Sequence, residues 1–234
     1  MKILPYKYQF KISPIRGSFY RIFPGKIVSE DLFDDLLDDL NDREVIKAFE
    51  GETNERLMIE NERILVNEKI DWATGSCAKM LNAPLAHKRI VPARFAGVGD
   101  RAGYYSRKKE TAIAEARYHQ SMRAISNNDP ATSFELVIGK YSHFYGNAVN
   151  VIGMREKIPM IYDSENYDES INFGRAVKST KGVDGIMYDS VRHDNGENLV
   201  TFNVLCKLYT QAGFIRFYWD GNKIDRVEEV FPHK

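Results

Sequence analysis

The spacing of apolar residues changes once along the chain, near Pro92, and this change limits the folds that the chain can adopt. Before it, apolar residues recur every three or four positions, which predicts helices over residues 29–50, 53–66 and 70–82. After it, short runs rich in β-branched and aromatic residues alternate with helical stretches. The pattern favours a mixed α/β fold of the α+β type, with a partly antiparallel sheet and flanking helices, over regular βαβ units.

The segments after Pro92 predict individual elements. We expect helices over 108–125 and 168–181, and strands over 133–139, 148–152, 185–188, 199–205 and 213–219. Asp220-Gly221-Asn222 predicts a hairpin turn into a last strand over 223–230. We therefore expect a mostly helical N-terminal extension, residues 1–88, packed on a core formed by residues 89–234.

The first predicted helix carries aspartates on the side opposite its leucines. Cation binding is one interpretation, but the central glycine of a calcium loop is missing, so a solvated helix face is favoured. Pro84 is expected to end the third helix, because proline disfavours a helical conformation in the residue before it.

Charge and cysteine content narrow the classes of partner and compartment. Lysine plus arginine equals 33 and aspartate plus glutamate equals 33, so a neutral chain gives no reason to expect nucleic acid or a membrane surface. Two distant cysteines lack the spacing of a zinc site or a disulfide scaffold. The chain has no run of about 18 apolar residues and no apolar signal core near Met1, so we expect a cytoplasmic protein. Export without a cleaved signal stays open.

Several familiar catalytic motifs are missing from the sequence. It contains no Gly-x-Gly-x-x-Gly between a strand and a helix, no Walker loop, no Gly-x-Ser-x-Gly and no His-Glu-x-x-His. The sequence therefore gives no sign of these dinucleotide, phosphate, serine-hydrolase or zinc-protease sites, and we expect no metal.

Two stretches could carry chemistry. Glu115 and His119 stand four residues apart and share a face of the predicted helix, and the preceding strand and turn bring Arg94 and Tyr105 within reach. By spacing alone, an ordinary charged helix is the favoured interpretation, because such pairs are common. The second stretch ends an apolar strand with Ser190 and a guanidinium two residues later, a place where sites are often assembled. No histidine–acid pair accompanies the serine, so we do not interpret it as a nucleophile.

In their order and spacing these residues resemble the RES domain family, named for an arginine, a glutamate and a serine. The matching positions are Arg94-Phe95, Gly103, Tyr105, Thr111-Ala112, Glu115, His119, and Gly185 to Arg192 with Ser190 central. The resemblance covers about residues 89–206, and Tyr20-Arg21-Ile22 resembles an opening that many members carry. Ala93 stands where glycine is usual, and the insert between Arg21 and Arg94 is long.

The resemblance implies a fold like that of ADP-ribosyltransferase toxins and an enzyme that consumes NAD+. It implies cleavage of the nicotinamide–ribose bond, with water or phosphate as acceptor, and depletion of cellular NAD+. It also implies a cognate antitoxin or immunity protein as partner, and no cofactor beyond NAD+ as the substrate. The oligomeric state stays open.

The resemblance also suggests roles for individual side chains. Glu115 would stabilise the oxocarbenium-like ribose in the transition state, and Arg94 would bind the pyrophosphate through its planar fork. Tyr105 would stack on nicotinamide, Ser190 would bind the carboxamide or a ribose hydroxyl, and Arg192 would support binding.

Two other functions remain open from the sequence. A transferase that attaches ADP-ribose to a macromolecule would use the same residues, because both reactions share the oxocarbenium step. A non-catalytic interaction module would use the acidic helix over 29–42 as its working surface.

Overall fold

The computed structural model describes residues 9–24, 70–75 and 77–230 of the 234-residue chain. Three helices in these ranges are α1 (Ala78–Ala86), α2 (Lys109–Asn127) and α3 (Asp168–Lys178), and a 3₁₀ turn at Pro159–Tyr162 precedes α3. The strands are β1 (Lys11–Pro14), β2 (Phe19–Pro24), β3 (Gly103–Ser106), β4 (Thr132–Ser142), β5 (Asn147–Asn150), β6 (Gly185–Asp189), β7 (Glu197–Thr201), β8 (Leu208–Trp219) and β9 (Ile224–Val230).

The described strands form one sheet in the order β1-β5-β6-β7-β3-β2-β4-β8-β9. All neighbours pair antiparallel except β5 and β6, which run parallel. The sequence-based prediction of a mixed α/β fold with a partly antiparallel sheet is therefore confirmed. The β8–β9 hairpin turns at Asp220-Gly221-Asn222, where Gly221 adopts a φ of +99° that a glycine takes without strain.

The first 88 residues contribute strands as well as a helix. Strand β2 lies between β3 and β4 and pairs along its whole length with β4, from Phe19↔Tyr141 to Pro24↔Leu136. Residues 11–24 thus belong to the same sheet as the segments after residue 88. The helices predicted over 29–50 and 53–66 lie outside the described residues, so the division at residue 88 stays a prediction.

The helix predicted over 70–82 is displaced along the chain. Residues 70–75 are not helical, and α1 begins at Ala78 and contains Pro84 in its last turn. The Asn82 side chain explains part of the difference, because its Oδ1 accepts from the Ala73 amide at 2.9 Å and its Nδ2 donates to the Ala73 carbonyl at 3.0 Å. These bonds hold the N–H and C=O groups of Ala73 in a non-helical conformation.

The two faces of the sheet carry separate apolar clusters. Residues directly opposite each other on paired strands point to the same face, so the strand registers assign the side chains to faces. One face packs Tyr188, Val200 and Ile186 against Phe95 and against Phe173 of α3. The opposite face packs the side chains of Tyr105, Tyr141, Met187 and Leu199.

Candidate active site

A row of polar and aromatic side chains crosses the middle of the sheet on the α3 face. Tyr20 lies opposite Ser106, Ser106 opposite Asn198, and Asn198 opposite Tyr188, so β2, β3, β7 and β6 each contribute one member. Helix α2 packs against β2 and β3 and carries Glu115 to this row. The row is therefore the floor of a cavity whose wall is α2.

Glu115 is held on one of its two carboxylate oxygens. Its Oε1 accepts a hydrogen bond from Ser190 Oγ at 2.7 Å and another from Asn198 Nδ2 at 2.7 Å. Within the part of the chain that the structure describes, Oε2 accepts no hydrogen bond, and the residue lines the cavity half-buried. The arrangement fixes the carboxylate while one oxygen remains available to a ligand.

Ser190 uses its hydroxyl to hold this arrangement together. Its Oγ donates to Glu115 and accepts from the backbone amides of Arg192 at 3.0 Å and His193 at 3.1 Å. The loop that supplies these amides is tied to the start of α2 by a 2.9 Å contact between Thr111 Oγ1 and His193 Nδ1. The hydroxyl hydrogen is committed to a carboxylate, which agrees with a positioning role and not with a nucleophile.

Arg94 lies deeper than its predicted role requires. Its side chain is only 7 % exposed, and its fork donates to the carbonyls of Ile161 and, at 2.8 Å, Asp163. The guanidinium lies 5.5 Å from the centroid of the Tyr167 ring. Burial lowers the pKa of Arg94, and the nearby Tyr188, Tyr167 and Glu115 oppose that shift. Arg94 thus fixes the 161–163 backbone beside the cavity while remaining electrostatically coupled to Glu115.

Tyr105 borders the cavity, but its ring lies on the other face of the sheet. It packs edge-on against Tyr141 and Phe144, with centroid distances of 5.1 and 5.5 Å. The ring that faces the site belongs to its neighbour Tyr104, whose hydroxyl donates to the Arg94 carbonyl at 2.7 Å. This corrects the choice of Tyr105 for stacking on a ligand, because alternation along β3 sends adjacent side chains to opposite faces.

The cavity concentrates positive charge. Its volume is about 660 Å³, within the range of small-molecule sites, and its described lining contains five arginines and one carboxylate, Glu115. Arg192 lies 3.5 Å from the centroid of the Tyr118 ring, and Arg89 lies 5.3 Å from that of Tyr104. The aromatic rings orient these guanidiniums at the cavity, so the site suits an anionic ligand that also has apolar parts.

His119 stands one helical turn after Glu115 on the cavity wall. Although part of the residue reaches solvent, the surrounding protein lowers the pKa of His119 chiefly by desolvation, and Glu115 opposes this while Arg89 and Arg192 reinforce it. The neutral form of His119 is therefore favoured near pH 7.

The structure places Arg94, Glu115, Ser190 and Arg192 close together, and the roles predicted for them stay predictions. It adds Asn198 and Ser106, which the sequence analysis missed, and both are almost fully buried. One signal was present, since Asn198 immediately precedes the apolar run of β7 and an isolated amide there marks a polar partner in the sheet.

No group of three histidine, cysteine, aspartate or glutamate side chains in the described ranges is arranged to hold a metal ion. The helices described here include none with the length and apolar character needed to cross a bilayer.

A family model described as the RES domain matches residues 70–220, which is more than half of the chain and includes Arg94, Glu115, Ser190 and Asn198. No curated protein matches the chain. One similar solved structure is described as the crystal structure of the M. tuberculosis MbcT–MbcA toxin–antitoxin complex. The likeness has 10 % sequence identity and a TM-score of 0.39, and covers 55 % of this chain and 75 % of that chain.

Proposed function

The chain belongs to the RES domain family, and from this we propose that it cleaves the bond between nicotinamide and ribose in NAD+, with water or phosphate as the acceptor. The observation that carries the proposal is the carboxylate of Glu115, held on Oε1 by Ser190 and Asn198 and left available on Oε2 in a cationic cavity. A cavity of about 660 Å³ is large enough for a substantial part of a dinucleotide.

The proposed reaction needs charge stabilisation more than acid catalysis. The bond from ribose C1′ to the nicotinamide nitrogen breaks, and its electron pair leaves with nicotinamide, which departs as a neutral molecule. Positive charge then develops on the ribose, and the fixed carboxylate of Glu115 lowers the energy of that state. An oxygen of water or phosphate adds to C1′, and with water the surplus proton passes to solvent.

The arginines divide into two roles in this proposal. Arg192 and Arg89 are held on aromatic rings at the cavity and would bind the pyrophosphate. Arg94 already donates to two backbone carbonyls, so it would add positive potential and hold the wall that bears Tyr167.

Substitution of Glu115 by glutamine tests the proposal. The change preserves size and removes the charge, so we expect NAD+ consumption to fall by at least about a hundredfold with an unchanged thermal unfolding temperature. Glu135→Gln on β4 is the matched control, because its carboxylate pairs with Arg216 on the exposed part of the sheet. An E115Q protein that consumes NAD+ as fast as the parent would show that the assignment is wrong.

The labelled products of the reaction identify the acceptor. NAD+ labelled in the adenylate moiety should yield small labelled products only: ADP-ribose in phosphate-free buffer and its phosphorylated form with phosphate. Label in a protein or nucleic-acid band would instead establish the alternative, transfer of ADP-ribose to a macromolecule.

We also propose that the chain acts on cytoplasmic NAD+ and is neutralised by a cognate antitoxin or immunity protein. The exposed apolar side chains of Val91 and Met122 line the cavity, and Ile90 beside them is 88 % exposed. A partner covering these side chains would also close the cavity. Induced expression should lower cellular NAD+, and co-expression with the neighbouring gene product should restore it. Unchanged NAD+ in both cases would contradict the proposal.

A further inference from the structure

A chain of hydrogen bonds leads from the sheet to the Glu115 carboxylate. Ser106 Oγ donates to Asn198 Oδ1 at 2.7 Å, and Asn198 Nδ2 donates to Glu115 Oε1 at 2.7 Å. We propose that Asn198 is a positioning residue, oriented by Ser106, that sets the direction of the Glu115 carboxylate toward the substrate. This inference rests on the proposed function of Glu115 and assigns its support.

The hydrogen bond from Ser106 controls the orientation of the Asn198 amide. An amide has a donor end and an acceptor end, and only the donor end is attracted to a carboxylate. The Ser106 hydroxyl engages the oxygen end, so the nitrogen end is directed at Glu115. A flipped amide would place Oδ1 against Oε1, two acceptors at hydrogen-bond distance.

The sheet keeps this orientation fixed. Ser106 and Asn198 are direct partners in the β3–β7 register, so their side chains stand side by side on one face. Their exposed fractions are 4 % and 3 %, which leaves little room for water to compete for either bond. A buried, directed donor of this kind orients a charged group more firmly than a solvated one does.

Ser190 and Asn198 hold the Glu115 carboxylate from two different parts of the fold. Ser190 belongs to a loop, and Asn198 belongs to a strand in the middle of the sheet. Both donate to the same oxygen, so the loop and the strand together hold Oε1 and neither engages Oε2. Loss of the strand donor should tilt the carboxylate without removing any group proposed to contact the substrate.

Asn198→Asp is the most informative variant, because it preserves shape and replaces the donor by a second carboxylate. We expect kcat for NAD+ loss to fall by at least about tenfold at pH 7.5, KM to change by less than about twofold, and the acid limb of the pH–rate profile to move to higher pH. Asn222→Asp, in the exposed β8–β9 turn, makes the same charge change away from the site and should behave as the parent.

Ser106→Ala is the second variant, and it keeps the inference testable if the N198D protein does not fold. It removes one hydroxyl and frees the amide to flip, so kcat should fall by about threefold to tenfold with KM unchanged. Values of kcat and a pH–rate profile equal to those of the parent in both variants would overturn the inference, as would a loss confined to KM.

A readout without turnover separates this inference from the proposed function. In N198D two carboxylates share a buried site, which raises their proton affinity in the folded protein, so stability is retained at low pH and lost as pH rises. The unfolding temperature of N198D should therefore fall further below that of the parent at pH 7.5 than at pH 4.5, by about 3 °C or more. If the parent fails to consume NAD+ but this difference appears, the proposed function fails and the Asn198–Glu115 contact stands. An equal difference at both pH values would overturn the contact.

Discussion

Replacing Gly174 with alanine sets two opposite effects against each other in helix α3. Alanine in a helix interior is favoured over glycine by about 1 kcal/mol, so a free helix would gain stability. In this protein the added Cβ would lie 2.0 Å from the Phe95 carbonyl oxygen and 2.8 Å from its Cα. An unstrained carbon–oxygen contact needs about 3.3 Å, so the helix and the turn bearing Arg94 must separate by roughly 1.3 Å.

The size of the stability loss depends on how far the turn at Phe95 can move away from the helix. Phe95 is 1 % exposed and its φ is +69°, a conformation that a residue with a side chain adopts only when its surroundings hold it. Overpacking against a fixed backbone costs about 3 kcal/mol, the upper end of the usual range. After the helix gain of about 1 kcal/mol, we expect a net loss of about 2 kcal/mol. For a domain of this size, that lowers the unfolding temperature by about 4–8 °C.

Gly97→Ala is the matched control, because it adds the same methyl group between the same turn and the same helix. There the nearest atom is Arg175 Nη2 at 2.9 Å, the end of a flexible and largely exposed side chain that can swing away. Circular dichroism should show an unfolding temperature within about 2 °C of the parent for G97A. A G174A protein that unfolds at or above the temperature of the parent would refute the packing argument.

Two further predictions concern the cavity. Arg192→Ala removes a guanidinium placed on the Tyr118 ring, so KM for NAD+ should rise by about tenfold while kcat stays within about twofold of the parent value. Steady-state kinetics measures both constants, and a loss in kcat alone would contradict the prediction. The folded protein lowers the pKa of His119, so the unfolded chain binds that proton more readily and His119 costs stability as pH falls below about 6.5. His119→Gln should therefore lose less unfolding temperature than the parent between pH 7 and pH 5, and equal losses would show that His119 does not contribute.

Local periodicity predicted the elements whose burial pattern repeats within a few residues. Helix α3 was expected over 168–181 and spans Asp168–Lys178, and the strand expected over 185–188 is β6 at Gly185–Asp189. The place of β2 in the middle of the sheet was not predictable in this way. Its neighbours lie more than 80 residues further along the chain, and no local spacing records a pairing at that separation.

The site was predictable where the sequence alone limits the choice of residue. Glu115 stands four residues before His119 on a helix that begins after a strand, and Ser190 directly follows a buried strand. The choice between Tyr104 and Tyr105 depended on which face of β3 carries α2, and adjacent tyrosines fit either answer. Asn198 was missed for a related reason, since its importance comes from the strand register that places it between Ser106 and Glu115.

The neutral composition shows why net charge and site charge must be treated separately. Equal numbers of acidic and basic residues remove the long-range attraction that a polyanion would feel. Arg89 and Arg94 nevertheless reach one cavity from the segment before β3, and Arg192 reaches it from the loop after β6. Glu115, the one carboxylate in the described lining, is engaged by two donors. Within a Debye length of about 8 Å, a ligand responds to these groups and not to the whole chain. The fold therefore creates a local concentration of positive charge that no count over the sequence reveals, and the NAD+ site proposed above depends on it.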